Sequence, residues 1–409
     1  MKKIPRVALF AETFHETNGA ANVLRRLTAY AQEKDYPFLC VRGGKETRFW
    51  TEGNLQILEL KRSRAAIKLD TELRYDPLLW RHKNLVGKVL KDFSPDVLHL
   101  TGFSDVSQLG FYFAHFWSVL AVASWHTNGH EYAARRALQK FGWLPAKMQR
   151  QLGNLIEKAV LHGSMKMHFL AQVQLAPNEE LVRLMRKMTR RPSFLMSRGV
   201  DTEFLSPSKR QRTDNVFTIG YVGRLQAEKN VRFLAELDAA LQKAGLSDYR
   251  FLIVGDGSEE DWLRSNLRSA QFTGVLRGEA LARAFADMDL FVFPSKTDAF
   301  GNVVLEAMAS GVPGVVMPEG GPKFLIEHEK NGFIAHDDQD FCETVRRVFA
   351  VESESFAAMK TCARNAALAR TWEKVFENVF DKYRFSATLK KNARATDLDS
   401  FGDYQKVIE

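Results

Sequence analysis

Two carboxylates, Asp298 and Glu306, stand eight residues apart with Gly301 and Asn302 between them. Phe291 to Phe293 reads as a short apolar strand that Pro294-Ser295 stops. Gly301 then opens a helix running through Ala309, which Ser310, Gly311 and Pro313 bring to an end. This spacing puts one acid in the loop before the helix and the other more than a turn inside it. A carboxylate accepts two hydroxyl hydrogen bonds at once, so such a pair can hold two parts of one polyhydroxylated ligand. The helix N-terminus between them offers unpaired N–H groups and partial positive charge, which suits a phosphate or an oxygen gaining negative charge.

Three further places carry chemistry. Gly223-Arg224-Leu225 follows the apolar run Phe217 to Val222, and Glu228-Lys229-Asn230 leads on into a helix. Arg224 supplies a planar fork and Lys229 a point charge at a helix start; together they suit a diphosphate, whereas either alone would be a surface charge. His126 comes directly after the strand VLAVASW (119–125). A lone histidine is more often structural, but at a strand's carboxyl end its near-neutral pKa lets it hydrogen-bond a hydroxyl or relay a proton. Asn18-Gly19-Ala20 lies between the first strand and its helix. Small residues there let the backbone approach a ligand closely, though one glycine reads equally well as a tight turn.

The elements that must position these residues alternate along the chain. Strands are expected at Arg6 to Ala11, Phe38 to Arg42, Leu55 to Leu58, Val97 to Leu100, Val119 to Trp125, Lys166 to Ala171 and Ser193 to Met196. Helices fall between them, including Leu78 to Lys91, Val106 to Trp117 and Asn178 to Lys187. After Arg198-Gly199-Val200-Asp201 the pattern starts over with Phe217 to Val222, Phe251 to Val254, Leu290 to Phe293 and an edge strand at Phe333 to Ala335. Alternation at this spacing predicts an α/β protein with parallel, doubly wound sheets, whose ligands bind beyond the carboxyl ends of the strands. Asp287-Met288-Asp289 enters Leu290 to Phe293 at its amino end, away from that crevice, and reads as structural rather than as an Asp-x-Asp metal site. Asp256 is expected to tie the turn after Phe251 to Val254.

With 409 residues, 45% hydrophobic and 26% charged, the chain has the makeup of a soluble protein of two or three domains. Cys40, Cys342 and Cys362 are far apart, which argues against a disulfide framework or zinc cluster and favours a reducing compartment. His126 and His130 are four apart, but Gly129 between them and the lack of a further ligand make zinc a poor fit. The apolar run near the start is too short for a signal peptide, and Phe111 to Trp125 is too short to span a bilayer. A net charge of +9 suits anionic partners, namely a nucleotide diphosphate, nucleic acid or an anionic membrane, or is plain solvated charge. Residues 131–158 carry six Lys/Arg against two Glu around Phe141, Trp143 and Leu144. Such a helical stretch can lie on an anionic bilayer, or can bury its aromatics and wet its charges.

Asp298-x7-Glu306 with Phe300-Gly301-Asn302 inside it resembles the Glu-x7-Glu signature of retaining, nucleotide-sugar glycosyltransferases of the GT-B type, family four, with a shorter first acid. The resemblance extends from Glu12-Thr13-Phe14 to Trp372 through Thr17-Asn18-Gly19, His126-Thr127-Asn128, Arg198-Gly199-Val200-Asp201-Thr202 and the Arg224/Lys229 pair. It implies two Rossmann-like doubly wound domains facing each other across a cleft: an acceptor domain at 1–197, a nucleotide-sugar domain at 198–370, a helix at 371–384 returning to the first domain, and a polar tail at 385–409.

The resemblance further implies donor binding by Gly19, Arg224, Lys229, Val275, Leu276, Asp298, Phe300, Gly301, Asn302, Val303 and Glu306. His126, Asp298, Glu306, Arg224 and Lys229 form the catalytic set, with no metal and no cofactor beyond a UDP- or GDP-linked sugar as co-substrate. The implied reaction moves a hexose to a hydroxyl acceptor with retention. The wording looks closest to members acting on diacylglycerol-type lipids, the sulfoquinovosyl and mannosyl transferases, which suggests a cytoplasmic protein peripheral to the inner face of the membrane. Polysaccharide or lipopolysaccharide assembly is the alternative acceptor class. A nucleotide-sugar epimerase and a non-catalytic sensor are the other readings, and nucleic-acid binding leaves the glycine loops unexplained.

Overall fold

The computed structural model describes residues 4–16, 19–68, 74–102, 104–126, 138, 143 and 145–388. Residues up to Ser197, together with the chain from Phe376 onward, form one compact unit, and Arg198–Val375 form a second.

The first unit is built on an eight-stranded sheet. Its strands are β1 (Val7–Ala11), β2 (Phe38–Gly44), β3 (Arg48–Glu52), β4 (Leu55–Lys61), β7 (Val97–Leu100), β8 (Leu120–Ser124), β9 (Val173–Ala176) and β10 (Ser193–Leu195), ordered β10-β9-β8-β7-β1-β2-β4-β3; β5 (Ile67–Lys68) and β6 (Arg74–Tyr75) form a separate hairpin. All pairings in the large sheet are parallel except β3 with β4. The central strands are buried on both faces, which is why they read as unbroken apolar runs rather than alternating ones. Strand order reverses between β1 and β7, the point at which an open α/β sheet leaves a crevice beyond its carboxyl ends.

The second unit repeats the architecture with six parallel strands: β11 (Phe217–Val222), β12 (Tyr249–Val254), β13 (Ala270–Gly274), β14 (Leu290–Phe293), β15 (Gly314–Val316) and β16 (Gly332–Ile334), ordered β13-β12-β11-β14-β15-β16. Here the reversal falls between β11 and β14. One core runs through this unit, with Tyr221, Phe251, Phe285, Phe291 and Phe341 fully buried.

The segment Lys166 to Ala171, expected as a strand, belongs instead to the end of a helix that spans Ala146–Phe169. A short apolar run does not distinguish a strand from a helix segment, and here Phe169 and Leu170 stay exposed. The sheet position beside β8 is taken by Val173–Ala176, which is buried throughout. The antiparallel strand Arg48–Glu52 was not foreseen; its burial pattern is that of an exposed edge, so no core-facing signal marks it. The last helix runs Trp372–Thr388, longer than the resemblance implied. Within the first unit its Phe376 and Phe380 pack on Tyr30, at ring-centroid distances of 5.5 and 5.9 Å.

Candidate functional site

At the reversal in the second unit, the loops after β11 and β14 are stitched together. Lys229 closes the short 3-10 turn Ala227–Lys229, and Asn230, in the left-handed conformation, redirects the chain. The Asn230 amide donates to the Pro294 carbonyl at 3.3 Å, and the Thr297 hydroxyl donates to the Glu228 carbonyl at 3.3 Å. These bonds bring the Lys229 ammonium onto the Asp298 carboxylate, with Nζ 2.7 and 2.9 Å from its two oxygens. Lys229 thus sits at the end of a 3-10 turn, not at the start of a helix; the following α-helix is Phe233–Lys243.

Burial by itself would raise the Asp298 pKa. The charge and hydrogen bond of Lys229 outweigh it and hold the carboxyl below the usual carboxylate range. Asp298 is therefore an acceptor at neutral pH. It can take hydroxyl hydrogens from a ligand but cannot serve there as an acid. Arg224 stands at the mouth of the same loop with its side chain nearly half exposed and its guanidinium 3.5 Å from Glu228, which leaves the fork facing solvent. The Tyr221 hydroxyl donates to the Arg224 carbonyl at 3.1 Å and fixes the backbone from which that fork projects.

Gly301 caps the helix Asn302–Ala309 at φ +86°, a backbone conformation that side chains rarely adopt, and no side chain caps this N-terminus. The loop after β15 lies against it: the Gly321 N–H donates to the Asp298 carbonyl at 2.7 Å. A Cβ on Gly321 would stand 1.9 Å from the Ala299 carbonyl oxygen, so only glycine permits this approach. Asn302 carries a buried side-chain oxygen that finds no hydrogen-bond partner among the described residues. Glu306 is half-buried a turn further along. A negatively charged ligand placed here would meet open helix N–H groups, an ammonium and a guanidinium.

The other expected donor residues divide by what they can offer. Phe300 is buried in the core, so it has only its backbone to give, and Val303 is partly buried on the helix. Val275 is about half exposed just after β13, while Leu276 packs against the core. The turn after β12 is tied by the Asp256 carbonyl, which accepts from Leu225 N–H at 2.7 Å, rather than by a side-chain bond. Asp289 accepts from Arg210, Arg212, Lys360 and the Thr218 N–H, and Asp287 from the Gln211 and Arg212 N–H groups. Both carboxylates anchor the segment entering β11 at the sheet's amino end.

In the first unit, the loops after β1 and β7 meet through Thr101, whose Oγ1 accepts from Glu12 N–H at 2.9 Å and donates to the Phe10 carbonyl at 3.1 Å. Gly19 is exposed at the first position of the helix Gly19–Glu33. The loop before it is held by Arg25, which no sequence pattern singled out. Its guanidinium donates to the carbonyls of Phe14 and Glu16 at 2.5 and 2.8 Å. His126 follows β8 with its Nε2 2.7 Å from the Ser124 hydroxyl. Thr127 to Glu131, and with them His130 of the His126/His130 pair, lie outside the described residues.

Two doubly wound units, each with a reversal of strand order, define the class of fold. The solved structures that share the architecture along nearly the whole chain are glycosyltransferases of the GT-B fold. Sucrose-phosphate synthase from Thermosynechococcus elongatus matches with a TM-score of 0.70 at 18% identity, covering 93% of this chain and 99% of that one. The Anabaena protein HepE in complex with UDP and glucose matches with a TM-score of 0.62 at 16% identity, covering 92% and 99%.

Sequence narrows this further. Residues 216–350 match the family described as Glycosyl transferases group 1. A GDP-mannose-dependent alpha-mannosyltransferase of Mycolicibacterium smegmatis is 29% identical over 92% of this chain and 96% of its own. The sulfoquinovosyl transferase SQD2 of Arabidopsis thaliana is 28% identical over 68% of this chain and 54% of its own. Residues 216–350 thus carry the group 1 glycosyltransferase domain, and the chain as a whole is a GT-B-fold relative of hexosyltransferases that use a nucleotide sugar.

Proposed function

We propose that this chain transfers a hexose, with mannose from GDP-mannose the favoured donor, to a hydroxyl acceptor with retention at the anomeric carbon and without a metal ion. The observation that carries this reading is the Lys229–Asp298 pair at the β11/β14 reversal, set beside Arg224 and the uncapped helix start at Gly301. Full-length relatives described as GDP-mannose-dependent favour that donor over a UDP-sugar.

In this reaction the bond between the anomeric carbon and the β-phosphate oxygen breaks as the acceptor oxygen bonds to the same face of that carbon. The acceptor's proton passes to the departing phosphate. Arg224, Lys229 and the helix amides near Asn302 stabilise charge growing on the leaving group, each preorganised donor being worth about 2.7–4 kcal/mol. Asp298 and Glu306 accept hydroxyls of the sugar and the ribose, His126 holds a hydroxyl near the reacting carbon, and Gly19, Val275, Leu276, Phe300, Gly301 and Val303 line the donor largely through backbone.

A lipid acceptor is supported by the Ala146–Phe169 helix region, which exposes Trp143, Met148 and Leu155 beside Lys147 and Arg150. The enzyme then works peripherally at an anionic inner membrane face; no helix among the described residues is long and apolar enough to cross a membrane. Release of free nucleotide from GDP-mannose, UDP-glucose and ADP-glucose, measured with and without chelator, tests the reading. Chelator-resistant turnover of GDP-mannose is expected, and turnover that chelator abolishes would refute the metal-free chemistry.

A further inference from the structure

His126 stands at the end of a hydrogen-bonded chain that reaches the last helix. Its Nε2 is 2.7 Å from Ser124 Oγ, that oxygen is 2.8 Å from His99 Nε2, and His99 Nδ1 is 2.6 Å from the Tyr383 hydroxyl. Ser124, His99 and Tyr383 are all buried, and they come from β8, β7 and the part of the last helix after Val375, all in one compact unit.

The direction of the chain follows from counting hydrogens. Among the described residues, the Tyr383 hydroxyl has His99 Nδ1 as its one hydrogen-bond partner, and leaving a buried hydroxyl hydrogen without an acceptor is costly. Tyr383 therefore donates to His99 Nδ1. His99 is neutral, since burial lowers its pKa to about 3, so its single proton lies on Nε2 and is donated to Ser124 Oγ. The serine's own hydrogen then goes to the acceptor at its other contact, which is His126 Nε2. The opposite direction would strand the tyrosine hydrogen.

The geometry points to Tyr383, His99 and Ser124 as positioning residues that fix His126 as the neutral tautomer with its proton on Nδ1. His126 then carries its N–H on Nδ1, and its Nε2 is occupied as an acceptor. This rests on the reading above that His126 contacts the donor. It adds that a tyrosine some 250 residues further along the chain sets the state of that histidine.

The test is long-range proton–nitrogen correlation NMR on the full chain labelled with 15N-histidine, with the His126 signals identified by their loss in His126→Gln. The Nδ1–H form is expected in the wild type. In Tyr383→Phe and Ser124→Ala the Nε2–H form should gain population, and kcat for nucleotide-sugar turnover should fall about tenfold, as for other groups that orient a ligating imidazole, with KM for the donor unchanged. An Nε2–H imidazole in the wild type overturns the relay, as does an unchanged tautomer and kcat in both variants. Full activity in His126→Ala would instead sink the role given to His126 while leaving the tautomer result standing, so the two failures are told apart. Because the tautomer is read in the wild-type protein, failure of Tyr383→Phe or Ser124→Ala to fold leaves the proposal open to refutation.

Discussion

Lys229 and Asp298 are bonded to each other, although the chemistry foreseen for them was separate, one for phosphate and one for sugar. An ammonium is a compact point charge, so it can hold the pair's geometry and still attract an arriving phosphate. Lys229→Ala is expected to lower turnover by about a hundredfold or more while leaving the fold intact, as removal of one preorganised donor does elsewhere. Steady-state kinetics beside a far-ultraviolet spectrum checks this, and a near-normal rate would remove Lys229 from the site. The pair also predicts a pH signature. The folded-state pKa of Asp298 is lowered, so its contribution to stability is fully present above the ordinary aspartate value of about 3.9 and is lost as pH falls through the lower native value. The difference in urea midpoint between wild type and Asp298→Asn should therefore shrink below about pH 4 and stay constant from pH 5 to 8. A difference that instead changed near neutrality would contradict the assignment.

At the scale of elements, the site depends on loops lying backbone against backbone. Gly321 has an ordinary φ, so what makes it irreplaceable is the Ala299 carbonyl beneath it and not strain. Gly321→Ala must push the loop after β15 away from the one carrying Asp298, at a cost of about 1–3 kcal/mol. A lower melting temperature together with a smaller thermal shift on adding GDP is expected, and an unchanged shift would show that the loop's position does not matter for the nucleotide. Most strands were legible because parallel sheets bury both faces and leave unbroken apolar runs. The run at Lys166 to Ala171 misled because a helix end can be equally apolar over so few residues, here with Phe169 and Leu170 left exposed.

At the scale of the molecule, the first unit is not contiguous in sequence. It takes Phe376, Val379 and Phe380 from the last helix, all but fully buried, and full burial of such side chains stabilises by about 1.5–3 kcal/mol each. Together that is about 5–9 kcal/mol, as large as the whole stability of many domains. A chain ending at Thr371 should therefore lose hydrogen-exchange protection in β1, β2 and β7 while β11, β12 and β14 stay protected. Retained protection in the first group would show that the helix is dispensable for that unit.

The amino-acid sequence by itself determined the two doubly wound units, the loops at strand ends and the residue types facing them, because strand burial, helix starts and glycine turns are local patterns a few residues long. Only the tertiary structure decided who meets whom. That Lys229 closes on Asp298, that Arg25 braces the loop before Gly19, and that Tyr383 reaches His126 through His99 and Ser124 are contacts between residues distant in the chain, fixed by strand order and close packing, for which no spacing rule in one sequence holds a signal.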